Sequence, residues 1–116
     1  MAASPSNPVL LKLTTEKATE EIVVRGVGRI TAESESDFQD TVRNLIPQTK
    51  RLVLDLTGVD YIDSSGLGAL VRLHLHASRS GCLLEIANPK QRIRDLFKMT
   101  KLSSVFETRG MDYFGM

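Results

Sequence analysis

Residues 52–77 read LVLDLTGVDYIDSSGLGALVRLHLHA. Leu52, Val53, Leu54 and Leu56 form a near-continuous apolar run, interrupted by Asp55. Such a run is the pattern of a central strand covered on both faces. The strand is expected over Arg51–Thr57, with Gly58 as punctuation. The loop Asp63-Ser64-Ser65-Gly66 follows and opens a helix. Leu67, Leu70, Val71 and Leu75 stand at helical spacing and predict its inward face, and Gly81 predicts its stop.

Upstream, Val9–Leu13 and the β-branched segment Glu21–Val27 predict two strands. Thr31 is a good helix N-cap, with Glu33 and Glu35 in the first turn, where the helix dipole favours negative charge. Phe38, Val42, Leu45 and Ile46 then form one apolar face, and Pro47 ends the helix. Downstream, Cys82–Ala87 predicts a strand. Asn88-Pro89 turns into a helix with Ile93, Leu96 and Phe97 inward, and Ser104–Glu107 predicts a short last strand. The order is β-β-α-β-α-β-α-β. Parallel neighbours need crossover helices, so this alternation predicts an α/β fold with a small, mixed, mainly parallel sheet. Residues 1–8 read as a lead-in and 9–116 as a single domain, within which the tail Arg109–Met116 is too short to assign.

A chain of 116 residues suits one domain and buries about two-thirds of its unfolded surface, enough for one core. Fifteen Lys+Arg against 14 Asp+Glu leave a net charge of +1, so there is no basic excess for gripping a nucleic-acid backbone. A single cysteine, Cys82, forms no intrachain disulfide, and with two histidines it makes a poor metal set. No apolar run approaches the roughly 20 residues of a membrane span, and Met1–Pro8 lacks the features of a secretory leader. The expected location is the cytoplasm, and no cofactor is expected.

The DSSG loop concentrates the chemistry. Helix starts carry unpaired N–H groups and the positive end of the dipole. One reading is capping, in which Asp63 or a serine accepts an N–H two or three residues on while Gly66 and Gly68 let the helix approach the sheet. The other is modification, in which a phosphate at the helix start is held by backbone N–H groups and adds about −1.5 to −2 charges beside Asp63. A serine hydrolase would need G-x-S-x-G and a nearby base. Ser64 lacks the flanking glycines, and His74 and His76 lie about 15 Å or more along the helix, so no enzymatic activity is expected. Gly66-x-Gly68 begins a dinucleotide fingerprint, but Val71 stands where its third glycine belongs. Asp55 reads as a hydrogen-bonding residue at a strand end and Cys82 as a small buried hydrophobe. His74 reads as a packing residue, His76 as exposed, and Lys90, Arg92, Arg94 and Lys98 as a solvated helix face.

Residues 52–77 resemble the signature of STAS domains, in particular the anti-sigma-factor antagonists. GCLLEIANPKQRIRDLFKMTKLSSVFE, residues 81–107, resembles the same family in the same order. The resemblance implies helices packed on one face of the sheet. It also implies that Ser64 is phosphorylated by a partner anti-sigma kinase, with Ser65 as second choice and Asp63, Gly66 and Gly68 framing it. The unphosphorylated form would bind the anti-sigma factor and free the sigma factor, regulating transcription, and a phosphatase would complete the cycle. STAS domains also serve as constitutive scaffolds, as partners of transport ATPases and as nucleotide-sensing modules. Two departures stand out: Lys101 occupies a turn where the family usually has glycine, and the sequence after Arg109 does not read as the family's terminal helix.

The helix after Ser64 has a second stripe, Ala69, Leu73 and His76, beside Arg72. Leu73 is expected either to face a partner together with Ser64 or to pack under a neighbouring loop or the tail.

Overall fold

The computed structural model describes residues 10–109. Strands β1 (Leu11–Lys17) and β2 (Ile22–Ile30) lead to helix α1 (Glu35–Leu45) and a single 3-10 turn, Ile46–Gln48. Then follow β3 (Arg51–Ile62), α2 (Ser64–Arg79), β4 (Leu83–Ala87), α3 (Gln91–Met99) and β5 (Glu107–Arg109). The five strands form one sheet in the order β1-β2-β3-β4-β5. β1 pairs antiparallel with β2, and the other three pairings are parallel, each bridged by a helix. This is the expected mixed, mainly parallel α/β fold. The lead-in, Val9 and residues 110–116 lie outside the described residues.

Strand alternation decides which side chains meet the helices. Ile22 and Val24 on β2, Leu52, Leu54 and Leu56 on β3, and Leu84 and Ile86 on β4 form one core with Phe38, Val42, Leu70, Leu73, Ile93 and Phe97. Each fully buried side chain of this size contributes about 1.5–3 kcal/mol. The helices therefore cover one face only, and the expectation of a doubly covered β3 is corrected. Its other face carries Arg25, whose Nη1 lies 2.8 Å from Glu16 and whose Nε lies 3.4 Å from Asp55. Val53 is buried on that face but lies outside the helix-covered core.

β3 runs five residues beyond its expected end, to Ile62. The pairing with β2 slips between Arg25 and Val27 and again between Gly28 and Arg29, each time with one extra residue on β3. These are β-bulges, which break a strict period of two. Asp55 is mid-strand rather than at a strand end. Its Oδ1 accepts the Thr57 N–H at 3.0 Å and the Thr57 hydroxyl at 2.6 Å, taking up a donor at the first slip.

Several boundaries move for local reasons. Thr31 is not the cap of α1. Ser34 is, and its buried hydroxyl donates to the Arg29 carbonyl at 2.8 Å and accepts the Thr31 N–H at 3.0 Å. α2 stops at Gly81 (φ +75°), where Cys82 N–H donates to the Ala77 carbonyl and Gly81 N–H to the Ser78 carbonyl, a Schellman ending. α3 ends with the same bonding pattern, yet the left-handed position belongs to Lys101 (φ +62°). The turn has not shifted, and Lys101 carries the strain of a side chain at positive φ. Ser104 and Val105 belong to the next turn, in which the Val105 and Phe106 N–H groups donate to the Leu102 carbonyl, and not to a strand. Phe106 packs on Phe97 (centroids 5.2 Å apart), and the last strand starts at Glu107.

Candidate functional site

The second bulge of β3 brings Ile62 and Asp63 to the rim of the sheet beside the end of β2. Asp63 N–H donates to the Ile30 carbonyl at 3.2 Å. The Asp63 side chain then ties two loops together. Oδ1 accepts the Gly66 N–H at 2.9 Å, capping α2, and Oδ2 accepts the Ala32 N–H at 3.1 Å in the β2–α1 loop. These backbone donors, Gly66 first, hold the Asp63 carboxyl below the usual carboxylate range. Both oxygens of an ionised carboxylate are engaged, so capping is what Asp63 does in this fold.

Gly66 is required here by contact. A Cβ at that position would stand 2.1 Å from the Ile30 carbonyl oxygen, so any side chain would push α2 off β2. With the cap filled by Asp63, the two serines are free of that duty. Ser64 is exposed at the first position of α2, while Ser65 is half-buried.

The two stripes of α2 are redrawn in part, with Leu70 inward as expected. Leu73 is 1% exposed and sits in the core with Ala69, Leu70 and Ala77, while Leu75 is 47% exposed. Leu67 and Val71 are only partly buried. The expected partner-facing position of Leu73 is therefore corrected: it faces the sheet and α1. The helix seats on its small residues, Gly66, Ala69 and Ala77, which allow close approach. Spacing alone could not show this, because both stripes satisfy it.

The exposed apolar groups near Ser64 are others. Tyr61 (45% exposed) and Met99 (79%) flank a cleft of about 410 Å³ between the end of β3 and α3, completed by Ile62, Arg92 and Leu96. The cleft begins one residue before Asp63. Sequence reading missed it because the strand is expected to end at Thr57, whereas β3 runs to Ile62 and carries Tyr61 to the cleft. A larger cleft, about 490 Å³, is lined by Thr19, Pro47, Thr49 and Gly81 at the far end of α2. It is a full helix length, about 24 Å, from Ser64, and it gathers none of the residues singled out for chemistry.

The remaining candidates are structural. The His74 ring stands edge-on to Phe106 (centroids 5.9 Å apart, planes at 89°), which makes it a packing residue. His76 is half-buried rather than exposed. Cys82 is buried, and burial pushes its thiol pKa up, away from reactivity. Lys90 pairs with Asp60, whose carboxyl it lowers. Among the described residues, no three His, Cys, Asp or Glu side chains gather at metal-binding distance, and no helix is long and apolar enough to cross a membrane.

The STAS domain family model matches residues 12–111. A STAS-domain containing protein of Pseudomonas aeruginosa (strain UCBPP-PA14) is 27% identical over 88 residues, 76% of this chain and 87% of that protein. An anti-sigma factor antagonist from Mycobacterium paratuberculosis superposes with a TM-score of 0.77 at 17% identity, covering 94% of this chain and 91% of that one. The anti-sigma factor antagonist SpoIIAA in its unphosphorylated form gives 0.72 at 17% identity, with 88% and 91% covered. SpoIIAA of Bacillus in its phosphorylated form gives 0.66 at 17% identity, with 88% and 95% covered. At these identities the structural likenesses show the shared fold.

Proposed function

The chain belongs to the STAS domain family, and from that premise we propose that it is an anti-sigma-factor antagonist switched by phosphorylation of Ser64. Unphosphorylated, it binds an anti-sigma factor with serine-kinase activity in the cytoplasm and so controls sigma-factor-dependent transcription. The observation that carries this reading is the division of labour in the DSSG loop: Asp63 alone fills the cap, leaving the Ser64 hydroxyl exposed at the helix start. A kinase would move the γ-phosphoryl group of ATP to Ser64 Oγ, releasing ADP and the hydroxyl proton. The product places about −1.5 to −2 charges beside an already ionised Asp63. A neutral contact surface becomes a strongly anionic one, and a partner covering the loop and the neighbouring Tyr61–Met99 cleft is expelled. The fold shared with SpoIIAA, whose structure is known in both phosphorylation states, supports this reading. A phosphatase would restore the binding form.

Incubation with ATP and the cognate anti-sigma kinase should add the mass of one phosphoryl group to the intact protein, and Ser64→Ala should abolish the addition. Full phosphorylation of Ser64→Ala would move the site to Ser65 or elsewhere. A second reading, a constitutive STAS scaffold, is favoured by the completeness of the Asp63 cap, which holds the loop without phosphate. Under that reading Ser64→Asp leaves partner affinity unchanged, whereas the switch predicts a loss of roughly tenfold or more, as for an unpaired charge at a contact.

A further inference from the structure

Ser64, Gly68 and Arg72 lie on one stripe of α2 at successive helical turns. The Arg72 guanidinium is held against α1. Nη2 donates to Glu35 Oε1 at 2.8 Å and Nε to Gln39 Oε1 at 3.2 Å. Gln39 Nε2 in turn donates to Glu35 Oε1 at 3.3 Å. The remaining nitrogen, Nη1, lies over Gly68, where a Cβ would stand 3.2 Å from it. The Arg72 side chain therefore runs up the helix toward Ser64, and glycine leaves its path clear. Ser64 and Arg72 are two turns, about 12 Å, apart along the axis, but Nη1 already stands at Gly68, one turn from Ser64, and the about 5–6 Å left between neighbours on the stripe is a gap that a phosphoserine and a long guanidinium side chain close together. The Arg72 side chain is 56% exposed, so it can swing without repacking the core.

Building on the Ser64 switch proposed above, we propose that Arg72 is the receptor for a phosphate on Ser64. The dianionic phosphate outcompetes the single carboxylate of Glu35 for one guanidinium, because it carries more charge and offers three acceptor oxygens. Capture of Arg72 by the phosphate releases Glu35 and Gln39 and opens the clasp between α1 and α2. Phosphorylation thus changes two things at once: the charge at Ser64 and the tie between the two helices.

The test uses the full chain with phosphoserine installed at position 64 during synthesis, so it does not depend on any kinase. The second ionisation of the phosphate is followed by phosphorus NMR against pH. A paired guanidinium favours the dianion, so the wild-type pKa should lie below that of Arg72→Gln by roughly half a unit or more. Gly68→Leu, which fills the path on an outward face of the helix, should raise the pKa as Arg72→Gln does. Glu35→Gln, which removes the competing carboxylate, should lower it further. Arg29→Gln, at the nearby end of β2, should leave it unchanged. The backbone N–H groups of the helix start are present in every variant and cancel in the comparison. Coincident titrations of wild type and Arg72→Gln would overturn the proposal, as would a shift in Arg29→Gln alone. Failure of a kinase to modify Ser64 would count against the proposed function and leave this result standing.

Discussion

The two long sides of α2 follow different rules. On one, Gly66, Ala69, Leu70, Leu73 and Ala77 are buried against the sheet and α1. On the other, Ser64, Arg72 and Leu75 face solvent. The buried side carries the small residues Gly66, Ala69 and Ala77 beside two leucines, and the exposed side includes another, Leu75. A helix packs where its backbone can come close, and the small residues of one side, beyond leucine spacing alone, decide which leucines lie inside. The stripe proposed to carry the switch occupies the side that packing leaves over. Gly66 and Gly68 express the contrast within one turn. A Cβ on the first would stand 2.1 Å from a backbone carbonyl oxygen, and on the second 3.2 Å from the far end of a flexible arginine side chain.

The largest effect should come from reversing the assignment of the two leucines. Leu73→Ala should cost about 2–5 kcal/mol, the range for truncating a buried leucine, read as a lower denaturation midpoint with an unchanged slope. Leu75→Ala should stay within about 0.5 kcal/mol of wild type. Equal losses would erase the distinction between the sides.

The two glycines should separate next. Gly66→Ala forces a methyl group into the Ile30 carbonyl and should cost about 1–3 kcal/mol, the range for overpacking. Gly68→Ala meets only the far end of Arg72, which can give way. It should be neutral or stabilising by up to about 1 kcal/mol through helix propensity. Chemical denaturation of the pair would measure the difference directly, and a Gly66→Ala variant as stable as wild type would contradict the contact.

The smallest effect concerns the charge on the cap. The folded-state pKa of Asp63 is depressed, so its contribution is present above the usual carboxylate pKa and is lost as pH falls through the lower folded value. Asp63→Asn keeps a carbonyl acceptor but removes the charge. It should therefore be less stable than wild type at pH 7, and the gap should close as pH drops below about 4. A gap that persists in acid would assign the stabilisation to shape rather than to ionisation.

Much of the molecule was legible from local chemistry. The apolar run at residues 52–56, the glycine stop at Gly81 and the alternation of elements pointed to the right order and fold class. The left-handed turn at Lys101 was foreseeable only through the family resemblance, which implies a glycine there, because a lysine by itself does not mark such a turn. The DSSG loop stood out because a carboxylate, two hydroxyls and a glycine at a helix start have few uses. What local reading could not supply was anything that depended on a neighbouring element. The bulges of β3 arise from its pairing with β2, so neither its length nor the inward turn of Val59 followed from alternation.

By itself, the sequence determined the elements, their order and the place where a polar loop meets a helix, because these depend on residues within one or two turns of each other. Only the tertiary structure decided which leucine of α2 is inside, because that depends on how closely Ile30 and α1 approach Gly66 and Ala69. It also decided which serine is free, because Asp63 fills the cap only once the Ala32 and Gly66 N–H groups converge on its two oxygens. The Arg72 clasp has the same origin. Arg72 and Glu35 are 37 positions apart along the chain, and packing of α1 on α2 brings their charges to 2.8 Å.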